Sequence, residues 1–483
     1  MRYTFGPFDL DTVSRHLTRD GQLVPIPDRH VDILLALLVR PGEILSKNAL
    51  VEAAWKDVAV TDNSLEQAIS SLRKTLEQST AGPTYIETVP RRGYRLVAPV
   101  TKAASRHSTV DLEAILDPFR AFVQGRAALE TLDGEAIQRA RTAFEQVIRA
   151  SPDYVSAHVG LANALALQLE ATRARASLPD PDILASAVHH ASEACRLDPA
   201  SAEAWCVLGL IAQQSGDRAR AVAAAHRATM LEPDNWRHHL RLAYVSWGEE
   251  RLQAARRALR LCPDLALCHW LAATVYIARQ AFAEAEQELI AGAAAQDRQV
   301  DGARFRAVGL HLLLGLLHLS RGADADARRE LEKEIASGHG GQIYTAQARA
   351  NAWCAIGALH LRSLDAAGAL EAFDRAMENV PEHPPALAAR AFITANAADS
   401  ARLEGRVHQL HEIGARIEAA FAEAIPLALH GRHDRAAGVL HAALDHQGEG
   451  SSGWTLPVDP FLHVAARPEP WRPVLELLRS RAL

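Results

Sequence analysis

The sequence predicts a mainly α chain, with a small α+β domain at the N-terminus followed by a long α-helical solenoid. Three observations carry this reading. Residues 1–97 mix short alternating strand patterns with amphipathic helical ones. Beyond residue 112 the chain is Ala- and Leu-rich, with a 3.6-residue apolar period and few strand signals. Landmark residues there recur at intervals near 34 residues, the mark of stacked helix pairs. A chain of 483 residues is also too long for one hydrophobic core.

The elements follow in order. Tyr3, Phe5, Phe8, Leu10, Val13, Leu17, Leu23 and Val24 alternate around turns at Gly6-Pro7 and Asp20-Gly21, as in a small antiparallel sheet. Residues 28–40 read as a helix with Val31, Leu34, Leu35 and Leu38 buried, ended by Pro41-Gly42. Residues 46–55 read as a second short helix with Ser46 as its N-cap. Asn63 and Glu66 have the spacing of a third helix start. Leu65, Ile69, Leu72 and Leu76 form the buried stripe of that helix. Its opposite face carries Asn63, Gln67, Ser70, Ser71 and Lys74, with Arg73 on the flank.

Residues 85–89 and 94–97 are short strands joined by Pro90-Arg91-Arg92-Gly93. A polar-faced helix followed by a basic hairpin tip is the layout of a winged helix that reads duplex DNA. Gln pairs bidentately with adenine, Ser serves several base edges, and Arg and Lys neutralise phosphate. Arginines on an exposed turn reach the backbone or a narrow minor groove. Read alone, the helix is better taken as an ordinary solvated amphipathic helix; the hairpin turns the reading toward DNA.

Residues 3–97 resemble the winged-helix DNA-binding domain of the OmpR/PhoB type. The matching residues are Phe8-Asp9-Leu10, Arg19-Asp20-Gly21, Pro41-Gly42-Glu43-Ile44-Leu45-Ser46, Leu50, Trp55, Leu72-Arg73-Lys74 and Gly93-Tyr94-Arg95. The resemblance implies a four-stranded N-terminal sheet, three helices and a C-terminal hairpin wing. It places groove-facing positions at Asn63, Gln67, Ala68, Ser70, Ser71 and Arg73, and wing contacts near Thr88, Arg91 and Arg92. It also implies that the loop from Ala54 to Asp62 can face RNA polymerase. Several helix positions often held by Arg or His are Ser or Ala here, which points to a different target sequence. No phospho-acceptor domain is expected ahead of the winged helix.

Charge tempers the DNA reading. Residues 1–100 hold 12 Lys/Arg and 12 Asp/Glu, so the chain's net −6 resides in the remainder. DNA binding must then come from local clustering of Arg73, Lys74, Arg91, Arg92 and Arg95. Steep salt dependence, modest affinity for a single copy, and homo-oligomers or tandem sites on DNA are expected. The five cysteines lack C-x-x-C spacing and read as small buried residues of a reducing compartment. The histidines, including the His311/His318 pair, offer no third ligand, so no metal or cofactor is expected. The opening MRYTFGPFDL has no signal-peptide character, and the apolar run over residues 307–319 is too short to span a bilayer. No membrane association and a cytoplasmic location are expected.

Residues 101–111 read as a linker. In the helical part, Trp205, Leu208 and Gly209 precede Ala221, Ala228 and Pro233, and Trp353, Ile356 and Gly357 precede Ala369, Phe373, Ala376 and Pro381. The interval from Trp to Pro is 28 residues in both, and Pro199 and Pro233 are 34 apart. This register resembles the tetratricopeptide repeat (TPR). About eight units over residues 112–446 are expected, with a loop inserted over 171–182 and a concave groove for a protein or peptide partner. Residues 447–483 read as a capping segment.

No nucleotide-binding or hydrolase motif is found, so the sequence reads as a non-enzyme. The favoured function is a one-component, sequence-specific regulator that binds double-stranded promoter DNA, with repeats that take a partner or signal or mediate self-association. The alternative is a TPR scaffold whose winged helix binds protein.

Overall fold

A computed structural model of the chain describes residues 2–12, 15–54, 62–76, 84–90, 92–103, 125, 128–129, 131–174, 180–298, 307–337, 342–446 and 450–483. By contacts the chain forms two compact units. The first is Met1–Ala127, Arg139–Leu165 and Ala185–Arg241; the second is Ala128–Gln138, Ala166–Leu184 and Leu242–Leu483.

The N-terminal domain opens with β1 (Arg2–Phe5), β2 (Phe8–Asp11), β3 (Leu17–Arg19) and β4 (Gln22–Val24). The tight turn at Gly6-Pro7 sets Phe5 opposite Phe8 and Tyr3 opposite Leu10, so these four side chains point into one core. Three helices pack over it: α1 (Asp28–Val39), α2 (Lys47–Ala54) and α3 (Asp62–Leu76). The Ser46 hydroxyl accepts from the Ala49 amide at 3.2 Å, the capping bond expected at the start of α2. In α1 the expected Val31, Leu34 and Leu38 are buried, while Leu35 is only half-buried. Ile33 and Leu37 are buried as well, because α1 packs against α2, α3 and the wing and so covers more than one stripe.

The wing is β5 (Ile86–Val89) and β6 (Gly93–Leu96), and β7 (Val100–Ala103) follows it. β7 pairs antiparallel with β1, so the sheet has five strands in the order β4-β3-β2-β1-β7 rather than four. Residues 101–103 therefore belong to the sheet and not to the linker. β1 offers a free edge, and the β-favouring Val100 and Thr101 fill it. The rest of the expected linker, residues 104–111, lies outside the described residues.

The remainder is helical: α4 (Gly134–Ala150), α5 (Val155–Ala174), α6 (Pro181–Leu197), α7 (Ala202–Gln214), α8 (Arg218–Leu231), α9 (Trp236–Val245), α10 (Glu249–Leu261), α11 (Ala266–Ala278) and α12 (Phe282–Asp297). It continues with α13 (Leu310–Ser320), α14 (Asp324–Ala336), α15 (Thr345–Arg362), α16 (Ala366–Asn379), α17 (Pro384–Thr394), α18 (Ala397–Glu412), α19 (Arg416–Leu429) and α20 (His433–Asp445). Among the described residues, α7/α8, α11/α12, α13/α14, α15/α16, α17/α18 and α19/α20 pack as successive pairs. Within pairs such as α7/α8 and α15/α16 the small residues permit close approach. A Cβ on Gly209 would sit 2.9 Å from the Ala221 carbonyl, and one on Gly357 would sit 2.2 Å from the Phe373 ring. Ala221 and Ala228 are fully buried, whereas Trp205 and Trp353 are only half-buried instead of wholly inward. The insertion expected over 171–182 is shorter than that, since α5 continues to Ala174 and α6 starts at Pro181.

His311, one of the histidine pair read from the sequence, is a satisfied core residue. Its Nδ1 meets Glu330 at 2.7 Å and its Nε2 meets Asp297 at 2.9 Å. Glu334 is also buried, and it accepts from the amides of Gly309 and Leu312 at 2.8 and 3.2 Å. It thereby serves the open donors at the start of α13.

The C-terminal segment does more than cover the last helix pair. A turn of 3-10 helix at Leu456–Val458 lies on α11 and α13, and α21 (Arg472–Ala482) lies on both α11 and α20. The Trp454 ring meets Trp270 edge-on at 5.5 Å, and Arg279 Nε donates to the Ala482 carbonyl at 2.8 Å. Trp471 is fully buried among Val474, Leu475, Leu478, Leu440 and Leu444. Trp471→Ala is expected to destabilise this second unit by about 3–5 kcal/mol. Urea unfolding checks it; a loss below about 1 kcal/mol would mean that the tail is not part of the core.

Candidate nucleic-acid interface

The geometry of α3 follows from its apolar spacing. Leu65, Ile69, Leu72 and Leu76 are all buried, each contributing roughly 2 kcal/mol of apolar transfer. With that side fixed, Gln67, Ser70, Ser71 and Lys74 share the opposite, exposed face at i, i+3, i+4 and i+7. Ala68 is a correction. It is 6% exposed, packs with the leucines and cannot meet a groove, because it lies three residues after Leu65 and four before Leu72. Asn63 falls within the first turn of α3 rather than ahead of it.

Arg73 behaves differently from a free phosphate contact. Its Nε donates to the Ile86 carbonyl at 2.9 Å and its Nη2 to the Thr88 hydroxyl at 2.7 Å. Arg73 and Thr88, expected as separate DNA contacts, are thus bonded to each other and strap the helix to β5. Arg95, counted among the cluster's cations, is paired with Glu87 across the wing at 2.5 Å. Among the described residues the exposed cations left without an acidic partner here are Lys74 and Arg92. Arg92 sits at the wing turn, where its amide donates to the Val89 carbonyl at 3.0 Å. Arg91 and the loop between Ala54 and Asp62 (residues 55–61) lie outside the described residues.

Sequence reasoning missed two features. Lys47 at the start of α2 bonds Glu66 at 2.8 Å and so offsets the one acidic group beside Gln67. An isolated lysine carries no periodic signal. The second is the pin under the wing: Leu45 and Tyr94 exchange both amide–carbonyl bonds at 2.9 Å, and the Gly42 amide donates to the Leu96 carbonyl at 3.0 Å. Gly93 has φ +133°, and a Cβ there would lie 1.9 Å from the Leu45 carbonyl oxygen. Only glycine lets the wing approach this closely.

Residues 21–96 match the family described as "Transcriptional regulatory protein, C terminal". The N-terminal domain is therefore of the OmpR/PhoB type. Residues 202–235, which hold α7 and α8, match the tetratricopeptide repeat. The "Cholera toxin homolog transcriptional activator" of Vibrio parahaemolyticus is 37% identical over 117 residues, 23% of this chain and 39% of that protein. The "Transcriptional activator CadC" of Escherichia coli is 39% identical over 85 residues, 17% of each chain. The solved DNA-binding domain of E. coli CadC is 33% identical and covers 21% of this chain and 96% of that one, with a TM-score of 0.21. The chain thus spans from 17% to 39% of the length of these two activators.

No helix among the described residues is long and apolar enough to cross a membrane. Gly93→Ala is expected to destabilise the N-terminal domain by at least about 2 kcal/mol, through strain at positive φ and the clash with Leu45. Thermal unfolding followed on the domain's own signals checks this; wild-type stability would contradict the pinned wing.

Proposed function

We propose that the chain is a transcription regulator that reads duplex promoter DNA through α3 and the wing. The observation that carries the reading is a single exposed polar face, Gln67, Ser70, Ser71 and Lys74, on a helix strapped to the wing by Arg73. Gln67, Ser70 and Ser71 read base edges, and Asn63 joins them at the first turn. Lys74, Arg92 and Arg91 neutralise phosphate. Arg73 and Thr88 position the two parts and do not carry sequence information themselves.

The domain holds as many acidic as basic side chains, so one copy binds modestly and two copies act together on adjacent half-sites. The names of the relatives favour activation, with RNA polymerase contacted through the loop from Ala54 to Asp62. A cytoplasmic location is part of this proposal, since its target is DNA. The chemistry needed is recognition alone, with no turnover.

The repeats form the input side, binding a protein or peptide partner or a second copy. Within the second unit the tail already lies on α11 and α13, so a ligand there competes with residues 454–483.

Fluorescence anisotropy with the full chain on its own upstream DNA and on scrambled DNA, over a salt series, tests the DNA reading. Gln67→Ala is expected to cost about 1–3 kcal/mol on the specific duplex only. Arg92→Ala is expected to weaken both duplexes alike and to lower the salt slope by about 1. Equal, weak binding to both duplexes, unmoved by either variant, would favour a scaffold whose winged helix binds protein.

A further inference from the structure

We infer that the N-terminal domain is latched through Arg29 to the α7/α8 repeat of its own unit with its DNA-reading face left open, so that this repeat sets the domain's orientation and does not cover it. The inference rests on the DNA-binding reading for its consequence, although the latch itself stands on geometry. Arg29 is the second residue of α1. Its half-buried guanidinium lies between two carboxylates of the repeats: it pairs with Glu232 and stands 3.6 Å from Glu203. Glu203 is in the first turn of α7, and Glu232 ends α8 just before Pro233. One cation of the N-terminal domain therefore joins both helices of the repeat that matches the tetratricopeptide pattern.

Glu232 is not free to turn away. Its other oxygen accepts from Asn235 Nδ2 at 2.8 Å and from His238 Nε2 at 3.0 Å. Burial opposes its charged form, but the bonds from His238 and Arg29 hold the carboxyl well below its ordinary range. Burial likewise opposes protonation of His238, yet Cys206 and Glu232 push it up to about 9. Next to Arg29, burial and the Arg29 charge bring His30 down to about 4, so it adds no second positive charge.

The latch does not reach the reading surface. Within the first unit, Glu66, Gln67, Ser70, Ser71, Lys74 and Arg92 remain exposed beside α7 and α8. A lid would have buried some of them. A charged contact of this kind is also releasable, as contacts between domains of one chain commonly are.

Amide hydrogen exchange of the full-length protein, followed by mass spectrometry, tests this with Arg29→Ala and Arg29→Lys. Arg29→Ala is expected to speed exchange at the start of α1 and around residues 231–238 by about tenfold, while α3 keeps its protection. Arg29→Lys, which keeps the charge, should recover part of that protection. Unchanged exchange in Arg29→Ala would overturn the latch, and loss of protection in α3 as well would assign Arg29 to the domain's own fold instead. Affinity for the specific duplex should stay within about threefold of wild type, since no base contact is touched. A gain of about tenfold or more in Arg29→Ala would mean that the repeats inhibit binding and would overturn the open-face account. If the wild type fails to prefer its specific duplex, the DNA-binding reading falls while the exchange result still decides the latch.

Discussion

The reading surface depends on the backbone bridge between Leu45 and Tyr94. This pair of 2.9 Å hydrogen bonds ties the segment after α1 to the wing strand. It forces glycine at position 93 and fixes where the hairpin leaves the domain. From that anchor the Tyr85 ring packs against Phe5 and Phe8, with centroids 6.0 and 5.5 Å away, so the sheet, the helices and the wing share one core. Arg73 adds the last link, from α3 to β5. On the proposed reading, helix and wing would meet a duplex as one rigid body, with the entropy of aligning them lost in folding rather than in binding.

The repeats obey a different constraint. Here alanine and glycine at the crossings let two helices approach until the second helix's carbonyl or aromatic ring fills the gap, as Ala221 does for Gly209 and Phe373 for Gly357. Such interfaces are built mostly from neighbours, which suits an array. The tail breaks that rule. It joins α11 to α20, helices far apart in sequence, and Trp471 is buried in the core it shares with Leu440 and Leu444 of α20. The Arg29 contact is of another kind, a charged pairing with Glu232 beside Glu203.

Much of this was legible because it is local. The stripe of Leu65, Ile69, Leu72 and Leu76 and the Ser46 cap rest on residues within a few positions of one another, and the strong repeat pairs rest on a fixed 28-residue interval. What the sequence hid depends on partners distant along the chain. Arg73 looks like a groove cation until the Ile86 carbonyl, 13 residues on, takes it. Ala68 is the local exception: it lies three residues after Leu65 and four before Leu72, and their spacing buries it. Residues 101–103 read as linker because their strand partner is β1, at the other end of the domain. The bond from Arg279 to Ala482 spans 203 positions, and no periodicity announces it.

The central claim, that helix and wing read base sequence as a unit, is most directly met by selecting duplexes from a random pool with the full-length protein and sequencing them. The account predicts enrichment of a short major-groove motif, most strongly as paired half-sites spaced by about one helical turn. Recovery of a pool with no shared motif, after rounds in which bound DNA was clearly retained, would contradict it.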